Sequence, residues 1–414
     1  MNKKVLIVGG GAGGMMAGIF AARNGAEVTI FEPNDRLGMK LNITGKGRCN
    51  VTNASSCEEL LANVATNARF LYSAFHRFDG FDAMAFFEDL GVALKTERGK
   101  RVFPCSDRSF DISGALEKEL RRLSVTIRKD RVEKLLHNED AVIGVRTASG
   151  DIMGDAVILA TGGVSYPKTG STGDGLRMAE QMGHTVVPPC GSLVPIVCAE
   201  EDCRMMQGLS LKNVKLSVLD SKGKKVYSEM GEMLFTHFGI SGPLALSASA
   251  HMRRFEKGNY RISIDLKPAL SEEKLDARLL RDLQERCNQN YSGVLGGLVN
   301  RSMVPIIAAR TQIPSDKKAN SIKKEERRTL LRVLKDFSLT AIALRPVEEA
   351  IITSGGVKVS EIDPHTMESK QKKNLYFCGE IIDVDAYTGG FNLQIAWASG
   401  KAAGEAAACK GEEK

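Results

Sequence analysis

The hydrophobic pattern opens with a short unbroken run, Val5–Val8, then glycines, then an apolar-periodic stretch from Ala12 to Asn24. A run of four to eight apolar residues reads as a buried strand and the longer periodic stretch as a helix. Glu27–Phe31 repeats the strand pattern, so the chain opens as a βαβ unit. Residues 33–56 are rich in glycine and asparagine and read as loop. Helices are expected at 57–77 and 81–90, a hairpin around Thr96–Phe103, and a helix near 112–123 with Asp111 as its N-cap. Three short strands fill 125–160 and end in Val157–Ala160, and Gly173–Met182 reads as a helix capped by Thr172.

Near Pro188, Pro189 and Pro195 the texture changes. Short alternating runs follow, Leu211–Leu219 and Lys224–Met230, which suggest antiparallel sheet or a small barrel. From Ser271 to about Lys335 the pattern is helical, broken near Gly296, Gly297 and Pro314. After Arg345–Pro346 the first texture returns, with a strand at Leu375–Cys378 and a long alanine-rich helix at Asn392–Cys409. The expected fold class is therefore α/β, a Rossmann-like domain with a βαβ opening and a C-terminal return, interrupted by an insertion. The expected parts are 1–190, a barrel-like 191–258, a helical 259–335, a return through the barrel at 336–345, and a completing 346–414.

Composition narrows the class. Of 414 residues, 43% are apolar and 26% charged, which excludes a wholly disordered chain. Nine Cys, with no Cys-x-x-Cys pair, argue against a disulfide scaffold and fit a reducing cytoplasm. The apolar run at the start is too short for a signal-peptide core, and no stretch is long enough for a membrane helix. The net charge is +7, from 57 Lys and Arg against 50 Asp and Glu. One basic stretch, Lys317 to Arg328, reads as a solvated helix face, with an anion or nucleic-acid patch as the sharper alternative. Glycine is the outlier: 41 are present, against roughly 29 at average usage. They cluster in windows 9–14, 38–47, 162–175, 355–356 and 379–390.

The first window contains G-x-G-x-x-G at Gly9, Gly11 and Gly14, between a strand and a helix. In that context the glycines permit a tight turn and close approach of backbone to a pyrophosphate, which the helix N-terminus then binds. Glu32 ends the second strand, where a carboxylate accepts hydrogen bonds from a ribose diol and repels a 2′-phosphate. FAD or NAD is thus favoured over NADP as the tightly held dinucleotide. The C-terminal return favours FAD: Gly379-Glu380-Ile381-Ile382-Asp383 follows a strand, and Gly389-Gly390-Phe391-Asn392-Leu393 opens the last helix. Asp383 is expected at the ribityl or phosphate region, and the helix N-terminus at the N1/O2 edge of the flavin. No second dinucleotide motif is present, so NADH or NADPH would dock transiently as electron donor.

Several motifs resemble the BaiN-like (YhiN) family of FAD-dependent oxidoreductases, within the glutathione-reductase and succinate-dehydrogenase type flavoproteins. The most specific is Gly45-Lys46-Gly47-Arg48-Cys49-Asn50-Val51-Thr52-Asn53. Others are Ala160-Thr161-Gly162-Gly163, Thr169 to Gly175, Leu234 to Pro243, and Gly379 to Gly404. The resemblance implies an FAD domain with a split insertion. It implies cofactor contacts at Gly9, Gly11, Ala12, Gly13, Gly14, Glu32, Lys40, Gly47, Arg48, Cys49, Asn50, Val132, Thr161, Gly162, Gly163, Asp383, Gly390, Asn392 and Leu393. One family activity is reduction of C=C bonds in 3-oxo-Δ4 or Δ6 bile-acid intermediates.

Such a reaction needs hydride from flavin N5, a donor at the carbonyl oxygen and a proton source. His237 and Tyr387 are the candidates, with structural roles as the plain alternative for each. Cys49 and Cys105 lack a C-x-x-C partner, so packing is favoured over thiol redox chemistry. The histidines show no metal-ligand spacing, so no metal is expected. The expected activity is a cytoplasmic, NAD(P)H-dependent enone reductase acting on an apolar, steroid-like substrate. The alternatives are a flavin oxidase or dehydrogenase of a small amine or acid, and a flavin-using RNA-binding or RNA-modifying protein.

Overall fold

The computed structural model describes residues 2–252, 255 and 260–409. They cluster into two units, 1–192 with 347–414, and 193–346.

In the first unit, β1 (Lys4–Val8), α1 (Ala12–Arg23) and β2 (Glu27–Phe31) form the βαβ opening. With β3 (Thr126–Arg128), β4 (Ala156–Leu159) and β5 (Leu375–Phe377) they build a parallel sheet in the order β5-β4-β1-β2-β3. All of β4 and β5 and four residues of β1 are buried, which is why these segments read as continuous apolar runs. The strand order reverses at β1. In doubly wound sheets the crevice for a ligand opens there, outside the carboxyl ends of the strands.

The long helix α2 (Phe391–Ala408) packs along α1 through small residues. A Cβ on Gly400 would lie 2.6 Å from the Gly13 carbonyl oxygen, and one on Gly404 2.3 Å from that of Ala17. No larger side chain fits at either position. Buried residues such as Trp397 and Ile395 fill the rest of α2's surface, so its apolar character runs round the helix.

Six expectations need correction. Residues 33–56, expected as loop, include the helix Met39–Ile43 and the short strand Thr52–Asn53. The part expected to be helical, 259–335, includes the barrel strand Tyr260–Asp265. The helix expected at 57–77 is broken into Cys57–Ala62, a 3-10 turn Ala68–Leu71, and Tyr72–Arg77. Asn67 breaks it by taking a left-handed φ of 54° and donating to the Asp383 carbonyl at 2.7 Å. Asp111 lies in the first turn of Ser109–Arg122, whose N-cap is Arg108. Gly173, at φ 79°, caps Asp174–Gln181 in place of Thr172. The segment 125–160 holds β3, β4 and a separate antiparallel sheet of Val132–His137, Val142–Thr147 and Gly150–Met153, rather than three strands.

The second unit contains a closed antiparallel barrel: Ile196–Cys198, Gly239–Ser241, Lys225–Thr236, Ser210–Leu219, Tyr260–Asp265 and Phe337–Leu344. Period-two burial, as at Tyr260, Ile262 and Ile264, fills its interior. Helices Glu272–Glu285, Tyr291–Gly296, Val304–Thr311 and Lys324–Lys335 share that core through Leu275, Leu279, Leu330 and Leu334. The basic stretch is α-helical only from Lys324; a 3-10 turn at Ala319–Ser321 precedes it. Among the described residues no helix is long and apolar enough to cross a membrane.

Candidate functional site

A cleft opens at the carboxyl ends of the parallel strands, where the order reverses. Its walls come from the loop after β1, the ends of β2 and β4, Arg131–Val132, Cys378–Glu380 after β5, and Asn392–Leu393 of α2. It encloses about 1280 Å³ including its open mouth. All its lining residues belong to the first unit.

The glycines of the first loop divide the work. Gly9, at φ 106°, lets the chain turn against β4, since a Cβ there would sit 2.6 Å from the Ala160 carbonyl oxygen. Gly14 brings α1 against the loop, where a Cβ would meet the Gly9 carbonyl oxygen at 2.0 Å. Gly11 is different: nothing stands within 4 Å of its Cβ position, and it lines the cleft. Gly11 is also the N-cap of α1 and offers no side-chain cap, so the first-turn N–H groups are left for a ligand. That is the arrangement that binds phosphate.

Glu32 is buried at the same end of the cleft. Its Oε2 accepts from Gly10 N at 2.9 Å, and its Oε1 from Asn34 N and Asn34 Nδ2 at 3.0 and 2.7 Å. A carboxylate has about four lone-pair sites, so Glu32 keeps room for about one ribose hydroxyl. Thr161 Oγ1, buried in the β4 side of the wall, has no hydrogen-bond partner among the described residues. The open Gly11 backbone, the bare helix N-terminus and this orphaned hydroxyl fit a dinucleotide.

At the far end Lys40 and Glu380 face each other. Lys40 Nζ lies 2.5 Å from Glu380 Oε2 and donates to Ser165 Oγ at 2.7 Å. Glu380 Oε1 accepts from Ser165 Oγ at 2.9 Å and from Thr353 N at 2.7 Å. Gly163 makes room for this network: a Cβ there would meet Thr353 Oγ1 at 2.3 Å.

The structure places eleven of the expected cofactor residues in the cleft wall: Gly9, Gly11, Ala12, Gly13, Glu32, Lys40, Val132, Thr161, Gly162, Asn392 and Leu393. Gly14, Gly47, Arg48, Cys49, Asn50, Gly163, Asp383 and Gly390 do not line it. Arg48 is held by Glu97 and by Asp107, and stacks 4.1 Å over the Phe103 ring. Cys49 is fully buried, and burial pushes its thiol up to about 12. Asp383 Oδ2 accepts from Asn67 Nδ2 at 3.0 Å; the acid that does line the cleft is Glu380.

The loop ending in Cys49-Asn50-Val51-Thr52-Asn53 has a structural explanation. Asn50 accepts from Gly390 N at 2.9 Å with its amide turned to satisfy both ends. Asn53 Nδ2 donates to the Gly389 carbonyl at 3.0 Å, and Thr52 Oγ1 to Gln394 Oε1 at 2.6 Å. Its polar side chains thus brace the glycine turn that starts α2. Asn392 holds the same turn from the other side, accepting from Ala386 N and donating to its carbonyl. Gly355 and Gly356, at positive φ, let the strand Ile352–Val357 pass within contact of Pro188 and Ile381 backbone, where a Cβ would lie 2.6 and 2.4 Å from carbonyl oxygens.

Tyr387 is half-buried just before that turn, its N–H donating to the Asn63 carbonyl at 3.0 Å. His237 belongs to the second unit, where it is exposed beside Phe238 at 5.0 Å between ring centres. Ser165, Thr353 and Glu380 were not singled out as site residues; only the Gly379-Glu380 pair after a strand carried a signal. Among the described residues no group of three His, Cys, Asp or Glu is placed to hold a metal ion.

Residues 3–406 match the family model described as HI0933-like protein Rossmann domain. The chain belongs to this HI0933-like family. Among its relatives, a 3-dehydro-bile acid delta(4,6)-reductase of Clostridium scindens is 32% identical over 99% of both chains. A ribosomal RNA dihydrouridine synthase of Escherichia coli is 30% identical over 95% of both. In fold, this HI0933-like chain is similar to the 3-ketosteroid-delta4-(5alpha)-dehydrogenase of Rhodococcus jostii. The TM-score is 0.52 and the identity 14%, covering 99% of this chain and 97% of that one.

Proposed function

We propose that this chain binds FAD in the cleft and reduces a C=C bond conjugated to a carbonyl, with NADH or NADPH as electron source. The observation that carries this reading is the pair of near-full-length relatives. A delta(4,6)-reductase of a 3-oxo bile acid and a dihydrouridine synthase act on unlike molecules. Both names nevertheless describe adding hydrogen across a C=C bond conjugated to C=O.

A bound flavin supplies the hydride, at N5. The chain's own residues do the rest. The α1 N-terminus and the Gly11 backbone take the diphosphate, and Glu32 takes a ribose hydroxyl. The N-terminus of α2, braced by Asn50, Asn53 and Asn392, would favour negative charge on a flavin held beside it. Within the first unit, Tyr387 remains the candidate for holding the substrate carbonyl or delivering a proton.

The same chemistry serves two substrates, and charge favours one. Residues 193–346 contain 26 Lys and Arg against 17 Asp and Glu, a net +9. The first unit contains 31 against 33, a net −2. Concentrated positive charge attracts a polyanion and gives a neutral or singly charged steroid nothing comparable. Uridine in ribosomal RNA is therefore the favoured substrate, and a steroid-like enone the alternative.

The test is anaerobic stopped flow on FAD-loaded protein reduced by NADH or NADPH. Reoxidation by unmodified ribosomal RNA, with dihydrouridine in the product, supports the favoured reading; reoxidation by a 3-oxo-Δ4,6 steroid alone moves it to the alternative. A protein that rejects FAD, or whose flavin is bleached by a small amine and ignores both acceptors, overturns the proposal.

A further inference from the structure

The basic stretch Lys317–Arg328 continues along its helix to Lys335, and some of its cations are paired while others are not. Lys317 Nζ pairs with Glu326 at 2.6 Å, and Arg327 bridges to both oxygens of Asp276 at 2.8 and 3.0 Å. Lys335 pairs with Asp265 at 2.6 Å. Lys324, Arg328 and Arg332 have no acidic partner among the described residues and are exposed. Asp276, which both Lys324 and Arg328 attract, is already held by Arg327.

These three residues stand at i, i+4 and i+8 on the helix Lys324–Lys335. They share one face, about 6 Å of axial rise apart. Like charges at this spacing destabilise a helix. A helix that is merely solvated avoids the cost by alternating signs. Helix Glu272–Glu285 of the same unit does this, with Arg278–Asp282 and Arg281–Glu285 at i, i+4. The cationic row therefore costs the fold stability and forms no ion pair among the described residues; its returns are the hydrogen bonds of Arg332 to Thr329 and the Arg328 carbonyl and a shared attraction to Asp276.

We propose that Lys324, Arg328 and Arg332 form a docking face for the phosphate backbone of RNA; this rests on the RNA reading of the function. Spaced cations with flexible stems suit successive phosphates and carry no sequence preference. A membrane surface fits less well. The helix's buried apolar residues, Leu330 and Leu334, point into the unit's core, leaving no apolar face to insert beside the charges.

The experiment compares the FAD-loaded protein with the triple variant Lys324→Gln, Arg328→Gln, Arg332→Gln. Binding of purified ribosomal RNA is measured from 50 to 300 mM salt. Losing three phosphate contacts should lower affinity on the order of 10²-fold near 0.1 M salt and flatten the slope of log K against log salt by about 2 to 3. Flavin content and melting temperature should not fall. The control variant Arg278→Gln, Arg281→Gln should keep the slope.

Wild-type and triple variant binding RNA with equal slopes overturns the docking face while leaving the RNA reading intact. A wild-type protein that binds no RNA even at 50 mM salt removes the RNA reading itself. Binding of phosphatidylglycerol vesicles but not RNA, lost in the triple variant, reassigns the face to membranes and overturns the proposal.

Discussion

Lys40 Nζ lies 2.5 Å from Glu380 Oε2, although 340 positions separate the two residues. The pair closes one end of the cleft and ties the segment after β2 to the segment after β5. Replacing Lys40 by Met strips a nearly buried carboxylate of its cation. A fully buried pair broken this way loses ~3–5 kcal/mol. Lys40 keeps 21% exposure, so a loss of about 2 kcal/mol is expected, with weaker FAD retention. Adding Glu380→Gln should recover at least half of the lost stability, because no uncompensated charge then remains. Thermal melts of the single and double variants measure the coupling.

Gly11 and Gly14 should separate binding from folding. Gly14→Ala forces a Cβ to within 2.0 Å of the Gly9 carbonyl oxygen and should destabilise the protein by ~1–3 kcal/mol. Gly11→Ala meets nothing in the protein, so its melting curve without ligand should match the parent. Titration with FAD should nevertheless show about tenfold weaker binding or worse, the ~1.4 kcal/mol that goes with losing close backbone approach.

Glu119 gives the fold an acid limit. The hydrogen bond from Arg122, with that from Arg23, holds its carboxyl down to about 2 from an ordinary value of 4.5. A depressed folded-state value means its stabilisation is complete above pH 4.5 and drains away as the pH falls toward 2. The change should amount to about 1–2 kcal/mol, allowing for solvent around Arg122. Denaturant midpoints across this range should fall more steeply for the parent than for Glu119→Gln.

Thiol reactivity should follow burial. Burial pushes the thiols of Cys49 and Cys378 to about 12, and both are shielded from solvent. Cys105 and Cys409 are exposed. Iodoacetamide at pH 8 should label the exposed pair first and leave Cys49 and Cys378 untouched until unfolding, as read by peptide mass spectrometry.

The nucleotide end of the cleft was legible because its signals are local. Gly9, Gly11 and Gly14 act within one turn, and Glu32 follows at the end of the next strand. The other end was not, because its parts are distant in the chain. Nothing local announces that Ser165, Thr353, Glu380 and Lys40 share hydrogen bonds, and Asp383, three residues on, looked equally suited. Periodicity also passed over backbone conformation. Asn67 continues an apolar helical pattern yet turns left-handed to reach Asp383. The motif around Asn50 was recognisable as a pattern, but its purpose became visible only when its side chains met Gly389 and Gly390.

The tight seam between α1 and α2, where Gly400 and Gly404 admit the backbone of Gly13 and Ala17, also sets an order of events. The ribosome makes the first glycine loop early and α2 long afterwards. Until α2 has emerged and docked, that loop has no opposite wall and its ligand has no enclosure. Ligand capture is thus expected to wait until α2 has docked on α1.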